Sequence, residues 1–160
     1  MLDLWPDDLD DFYNKIPAPA KTPKFILEEQ SSLIGRKTGN FVEGLVDPEA
    51  SRDLVYSPFA FSFYFVAPAL DYHYKVLEIR HSSYFYPLSI GVDDDILAGL
   101  PAEMKGTIGH VVANSEDRFI EILRAIFTTE KVRSVIQAII AQSAVKGEMA
   151  TEVISSMEAS

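Results

Sequence analysis

Three histidines and one run of acids are the residues whose types could do chemistry. His73 and His81 fall on one predicted strand, eight positions apart. An even separation puts two side chains on the same face. Eight residues of strand span about 26 Å at about 3.3 Å per residue, so the pair shares no metal unless the chain turns between them. His110 can join either only through the fold. A strand-face or interfacial role explains them more simply than catalysis. Asp93-Asp94-Asp95 offers carboxylates of the kind that hold Ca²⁺ or Mg²⁺. Calcium loops, however, alternate ligands with spacers and put a glycine at the turn. Here the acids are consecutive and no distal Glu stands at EF-hand spacing. A solvated loop that caps a short helix fits better. Glycosidase chemistry needs two acids across a cleft, and nothing singles out such a pair. There is no G-x-S-x-G, no P-loop and no dinucleotide fingerprint. The sequence therefore assigns no catalytic residue, no cofactor and no metal ligand, and it reads as non-enzymatic.

Binding chemistry has more to work with. Asp7, Asp8, Asp10 and Asp11 form an acidic N-terminal face, suited to a basic partner. It is equally the outer side of a helix whose inner side is Leu9, Phe12 and Tyr13. Six tyrosines crowd the segment 54–92, and tyrosine is enriched at binding surfaces. Simple alternation puts Tyr72 and Tyr74 on one strand face with Val76, Glu78 and Arg80, and Lys75 on the other with His73, Leu77 and Ile79. Tyr84 and Tyr86 share a face with Leu88 and Ile90, which points them at a core. The candidate partner-binding set is Asp7, Asp8, Asp10, Asp11, Tyr72, Tyr74, Glu78, Asp93, Asp94 and Asp95. Gln30, on the apolar side of a predicted helix, is expected to make a structural hydrogen bond.

Composition limits the partners. The chain has 160 residues, 48% of them hydrophobic, and a net charge of −10. That length suits one domain with a real core. The charge opposes nucleic acid and anionic membranes and favours a basic protein partner. With no cysteine, disulfides and thiol chemistry are excluded. The first residues lack the basic and apolar regions of a signal peptide, and no apolar run is long enough to span a membrane. A cytoplasmic protein is expected.

The elements that must position these residues follow from pattern. A short helix is expected at about 7–15, inside an acidic and Pro-rich arm of residues 1–21 with a rigid connector at Ile16-Pro-Ala-Pro-Ala. Thr22-Pro23 opens a helix over 23–37, with Gly39 as its stop. A strand is expected at 40–46 and a loop at 47–53. The aromatic block from Leu54 to Val92 is dense in strand formers and broken at Pro58, Ala67-Pro68, Ser82-Ser83 and Gly91. Residues 93–100 read as loop or one short helix, and 107–113 as one more strand. Ser115 caps a helix over 115–127 whose stripe is Phe119, Ile122, Leu123, Ile126 and Phe127. A further helix spans 129–143, and the tail 147–160 is expected to fray or dock. Segregated strands and helices predict an α+β domain with an antiparallel sheet of four to six strands.

The pattern Pro23-x-x-Ile26-Leu27-x-Glu29-Gln30-x-x-Leu33 with Thr38-Gly39, then Ala67-Pro68-x-Leu70-x-Tyr72-x-Tyr74-x-x-Leu77-x-Ile79-x-His81, then Tyr86-Pro87, resembles a group of small uncharacterised bacterial proteins over about residues 23–143. That resemblance implies no activity and transfers no functional residue. The acidic, cysteine-free character is also similar to immunity proteins of bacterial toxin systems. The leading expectation is a protein-binding module of the immunity type that neutralises a toxin. The alternatives are a self-assembling structural or adaptor protein, with a homodimer through a sheet edge or the terminal helices, and a small hydrolase or ligand-binding domain using His73, His81, Glu78 or the Asp93–Asp95 loop.

Overall fold

The computed structural model describes residues 1–14, 22–106 and 110–158. The Pro-rich connector and the first part of the strand expected at 107–113 lie outside them. A one-turn-and-a-half helix α1 (Leu9–Asn14) precedes α2 (Pro23–Lys37). Thr22 caps α2, its hydroxyl accepting the Phe25 N–H at 3.2 Å, and Gly39 follows the end with φ 59°, the left-handed conformation that glycine tolerates. Five strands follow: β1 (Glu43–Glu49), β2 (Phe59–Ala67), β3 (Tyr72–His81), β4 (Leu88–Gly91) and β5 (His110–Ala113). They pair in chain order, every neighbour antiparallel. Short connections between the first four strands favour this meander over crossovers. The short helix α3 (Asp94–Ala98) stands between β4 and β5, and α4 (Glu116–Phe127) and α5 (Glu130–Glu158) complete the chain. The fold is α+β, as the pattern predicts.

Helices cover one face of the sheet. Phe63, Leu77, Ile79, Leu88, Ile90 and Val111 from the strands are buried against Leu27, Phe119, Ile122, Ile126 and Val132 from the helices. The Phe63 and Phe127 rings lie 5.8 Å apart. At Gly44 a Cβ would meet the Ser31 Cα at 2.4 Å, so α2 rests directly on the backbone of β1.

Four boundaries differ from pattern. β1 begins later than expected and takes in Asp47-Pro48-Glu49; a proline is tolerated there because β1 is an edge strand. Leu54-Val55-Tyr56, read as strand, is a turn. The Asp53 carboxylate accepts the Tyr56 N–H at 3.1 Å and the Asp53 carbonyl accepts the Ser57 N–H, so local side-chain hydrogen bonding overrides β-propensity. Tyr84-Phe85-Tyr86 is also a turn, with Phe85 at φ 70° and a cis Tyr86–Pro87 bond. Tyr84 is consequently solvent-exposed, not core, while Tyr86 is half-buried. The α5 backbone continues through Gly147 to Glu158, well past the expected end at 143.

One feature of β3 reassigns its faces. Phe63 pairs with Leu77 but Tyr64 pairs with Lys75, so Val76 is an extra, unpaired residue. Such a bulge shifts the alternation of everything on one side of it. Leu77, Ile79 and His81 face the helices; beyond the bulge Tyr74 and Tyr72 do so, opposite Phe65 and Ala67. The expectation that Tyr72 and Tyr74 share a face with Glu78 is therefore overturned. Lys75 joins Glu78 and Arg80 on the open face instead.

Candidate partner-binding surface

The bulge brings the two tyrosines to the acidic corner of the sheet. β3 starts where β4 ends, so Tyr72 and Tyr74 stand beside the segment that leaves β4. The Tyr74 hydroxyl donates to Asp93 Oδ2 at 2.6 Å. The other oxygen of that carboxylate accepts the Ile96 N–H at 2.8 Å and caps α3. Burial, the hydrogen bond to Asp93, and the charges of Asp93, Tyr72 and Asp95 push the Tyr74 hydroxyl far above the usual phenol range. Asp95 pairs with Lys131 of α5 at 3.3 Å, and Asp71, Asp93, Asp94 and Asp95 are all exposed. Tyr72 is 44% exposed. With Leu70, Val135 and Ile139 it walls a hollow of about 300 Å³ against α5. The result is a rim of carboxylates interleaved with two rings, of which one is pinned and one is free to make contacts.

Glu78 belongs elsewhere. On the open face it accepts from Lys75 at 2.9 Å and from Arg80 at 2.7 Å. Glu49 of β1 accepts from Tyr64 at 3.1 Å and from Lys75 at 3.4 Å. Burial raises the Glu78 carboxyl, but the hydrogen bonds and charges of Lys75 and Arg80 outweigh it and hold it below the ordinary range. Glu49 is also lowered, first by the nearby Ser62 hydroxyl and then by Tyr64 and Lys75. That hydroxyl is wholly buried and completes no hydrogen bond of ordinary geometry, so its effect on Glu49 is one of proximity. Two acids and two bases compensate each other across three strands, which makes the cluster a self-satisfied ladder and not an open binding group.

The opposite end of the sheet is apolar. Leu54, Val55 and Tyr56 at the β1–β2 turn and Tyr84 at the β3–β4 turn are each about three-quarters exposed or more. Beneath them His81 is buried, its ring 5.6 Å from Phe59, 6.0 Å from Phe61 and 5.7 Å from Phe85. Its Nδ1 lies 2.8 Å from the Ser82 carbonyl, and its Nε2 is buried with no partner among the described residues. His73 is on the open face opposite Val66, and His110 is on the far edge strand, so the three histidines do not converge. Sequence reasoning missed this aromatic nest; the alternating Phe59, Phe61, Phe63, Phe65 was its signal, but the contribution of Phe85 depends on its left-handed turn.

Asp7, Asp8, Asp10 and Asp11 are exposed on and just before α1. Among the described residues no hydrogen bond or ion pair links Asp7, Asp8 or Asp10 to the Asp93–Asp95 rim. Phe12, expected on the inner side of this helix, is exposed. Gln30 is half-buried beside Phe127 and, among the described residues, its amide has no structural partner of the kind expected.

Among the described residues, no three or more acids or histidines converge as a metal would require, and no helix is long and apolar enough to cross a membrane. No family model, curated protein or solved structure matches the chain. What the fold defines is an α+β protein whose five-stranded antiparallel meander is backed by helices on one face. Its two sheet ends carry opposite chemistry, one acidic and one apolar.

Proposed function

We propose that this protein is a non-enzymatic binding module that docks a basic protein on its acidic tyrosine rim. In its sharpest form it is an immunity-type protein of the bacterial cytoplasm that neutralises a toxin. The observation that carries this reading is the convergence of Tyr72 and Tyr74 with Asp93, Asp94 and Asp95, against which the only paired cation among the described residues is Lys131. Acids at a rim steer a basic partner and set its on-rate, and an exposed ring such as Tyr72 supplies a contact that loses water on docking. Exchanging Asp94→Lys and Asp95→Lys tests it. Capture of a basic partner falls steeply and its salt dependence flattens; capture that is indifferent to both changes would remove the reading.

A second reading has its own observation. Leu54, Val55 and Tyr56 form an exposed apolar tip, and such patches mark interaction sites. They favour self-assembly of the chain as a structural or adaptor protein. Sedimentation velocity of the Leu54→Ser/Val55→Ser/Tyr56→Ser variant tests it: a loss of oligomer supports self-assembly through this tip, and a parent protein that stays monomeric at high concentration counts against it.

A further inference from the structure

The helices leave a gap on the covered face. Between α2 and the α4–α5 turn, an open groove of about 280 Å³ is floored by Phe63 and Phe65 and walled by Leu33, Phe127 and Ile136. A second hollow of about 210 Å³ continues it along α4, and the two share Gln30 and Phe127. The lining is apolar except at four points, one of which, Thr128, commits its hydroxyl to the Arg124 and Ala125 carbonyls. Lys37 borders the first hollow and Arg124 the second. Both are exposed, and among the described residues neither side chain has a carboxylate partner. Gln30, between them, has an amide without a hydrogen-bond partner among the described residues. In a chain where 24 acids face 14 bases, a groove bordered by two unpaired cations and no acid departs from the surface around it.

We propose that this groove binds a small amphiphilic anion: an apolar chain or ring carrying one carboxylate. The body of the ligand lies on the Phe63 and Phe65 floor, where removal of apolar surface from water drives association. The head is met by the Gln30 amide and by Lys37 or Arg124, because a cation and an amide N–H both complement a carboxylate. Each hollow, at about 280 and 210 Å³, is smaller than the usual ligand site of about 300–1,000 Å³, which suits a single chain and not a two-chain lipid. The inference is independent of the partner reading above, since the groove lining shares no residue with the acidic rim.

The test is a titration of the full chain, isotope-labelled and followed by amide NMR, with decanoate, decanol and decylammonium, each below its aggregation concentration. Decanoate gives saturable shifts grouped on α2 and the α4–α5 turn, and binds about two- to fivefold tighter than decanol, the range for an exposed ion pair. The Lys37→Gln/Arg124→Gln variant erases that preference. The Lys37→Glu/Arg124→Glu variant reverses it in favour of decylammonium. All these positions are exposed, so the fold is retained, and the spectrum of each variant verifies that directly. Shifts that do not saturate, that scatter over the surface, or that ignore the head group overturn the proposal. A peptide of residues 146–158 that saturates the same amides while decanoate does not would also overturn it, in favour of an acidic helix from a second copy.

Discussion

The two ends of the sheet use the same residue types to opposite effect. At the Tyr72 end an aromatic ring is held by a carboxylate: Tyr74 donates to Asp93, and Asp93 in turn caps α3. Polar satisfaction fixes the geometry there, and charge remains on the outside. At the His81 end the rings Phe59, Phe61 and Phe85 enclose an imidazole whose Nε2 has no partner among the described residues, and apolar side chains remain on the outside. One end is organised by hydrogen bonds and presents acids; the other is organised by stacking and presents hydrocarbon. A sheet thus gains two chemically distinct surfaces, because the turns, not the strands, decide what faces water.

The bulge at Val76 sets which side chains each end presents, so inserting a serine between Phe63 and Tyr64, where it would pair with Val76 and restore unbroken alternation, is the most severe change. Tyr72 and Tyr74 would turn to the open face and Lys75 toward the helices, and we expect a loss of about 3 kcal/mol or more in urea denaturation. Two smaller substitutions sharpen the contrast because their signs differ. Tyr74→Phe removes a satisfied hydrogen bond and costs about 1 kcal/mol. His81→Leu removes a buried nitrogen that has no partner, so it is neutral or stabilising by up to about 1 kcal/mol. A large loss at His81 would mean that the nest depends on the imidazole. Smallest of all, Leu54→Ser/Val55→Ser/Tyr56→Ser changes stability by no more than about 0.5 kcal/mol, because these side chains are already largely exposed.

Stability against pH follows from the same groups. Burial raises Tyr74, and it pushes Tyr86 up to about 12 with help from Glu116. The unfolded chain ionises these phenols near 10 while the folded one keeps its protons, so stability is intact below that pH and falls as pH rises from about 10 to 12. The Tyr74→Phe variant loses less over that interval. Glu49 and Glu78 are lowered in the fold; their contribution is present above the unfolded carboxyl value and is lost as pH falls below about 4.5. Denaturation curves collected across both ranges check the two slopes.

Much of the scaffold was legible locally. The cap and proline at Thr22-Pro23, and the stripe from Phe119 to Phe127 behind Ser115, announce α2 and α4 within single turns of chain. The turns were readable only in part. Asp53 outweighs the strand propensity of Leu54-Val55-Tyr56 by a local hydrogen bond, and Phe85 adopts a left-handed conformation that its bulk gives no hint of. The bulge was not readable at all. It depends on which residue of β2 meets which residue of β3, a non-local register that alternation alone assumes to be continuous. That single residue moved Glu78 away from the tyrosines and joined Tyr74 to Asp93, nineteen positions away. The acidity of the candidate rim could be read from Asp93–Asp95, whereas its tyrosines could be assigned to it only through the pairing.

Recruitment of a partner by the acidic end, and not by the apolar end, is open to direct test. The most direct measurement is a quantitative pull-down from native lysate with three baits: the parent chain, the Asp94→Lys/Asp95→Lys variant, and the Leu54→Ser/Val55→Ser/Tyr56→Ser variant, each at low and moderate salt. One stoichiometric basic protein is expected, retained by the parent chain and the serine variant, weakened by salt, and lost from the lysine variant. A partner retained by the lysine variant and lost from the serine variant would contradict it and move function to the apolar end.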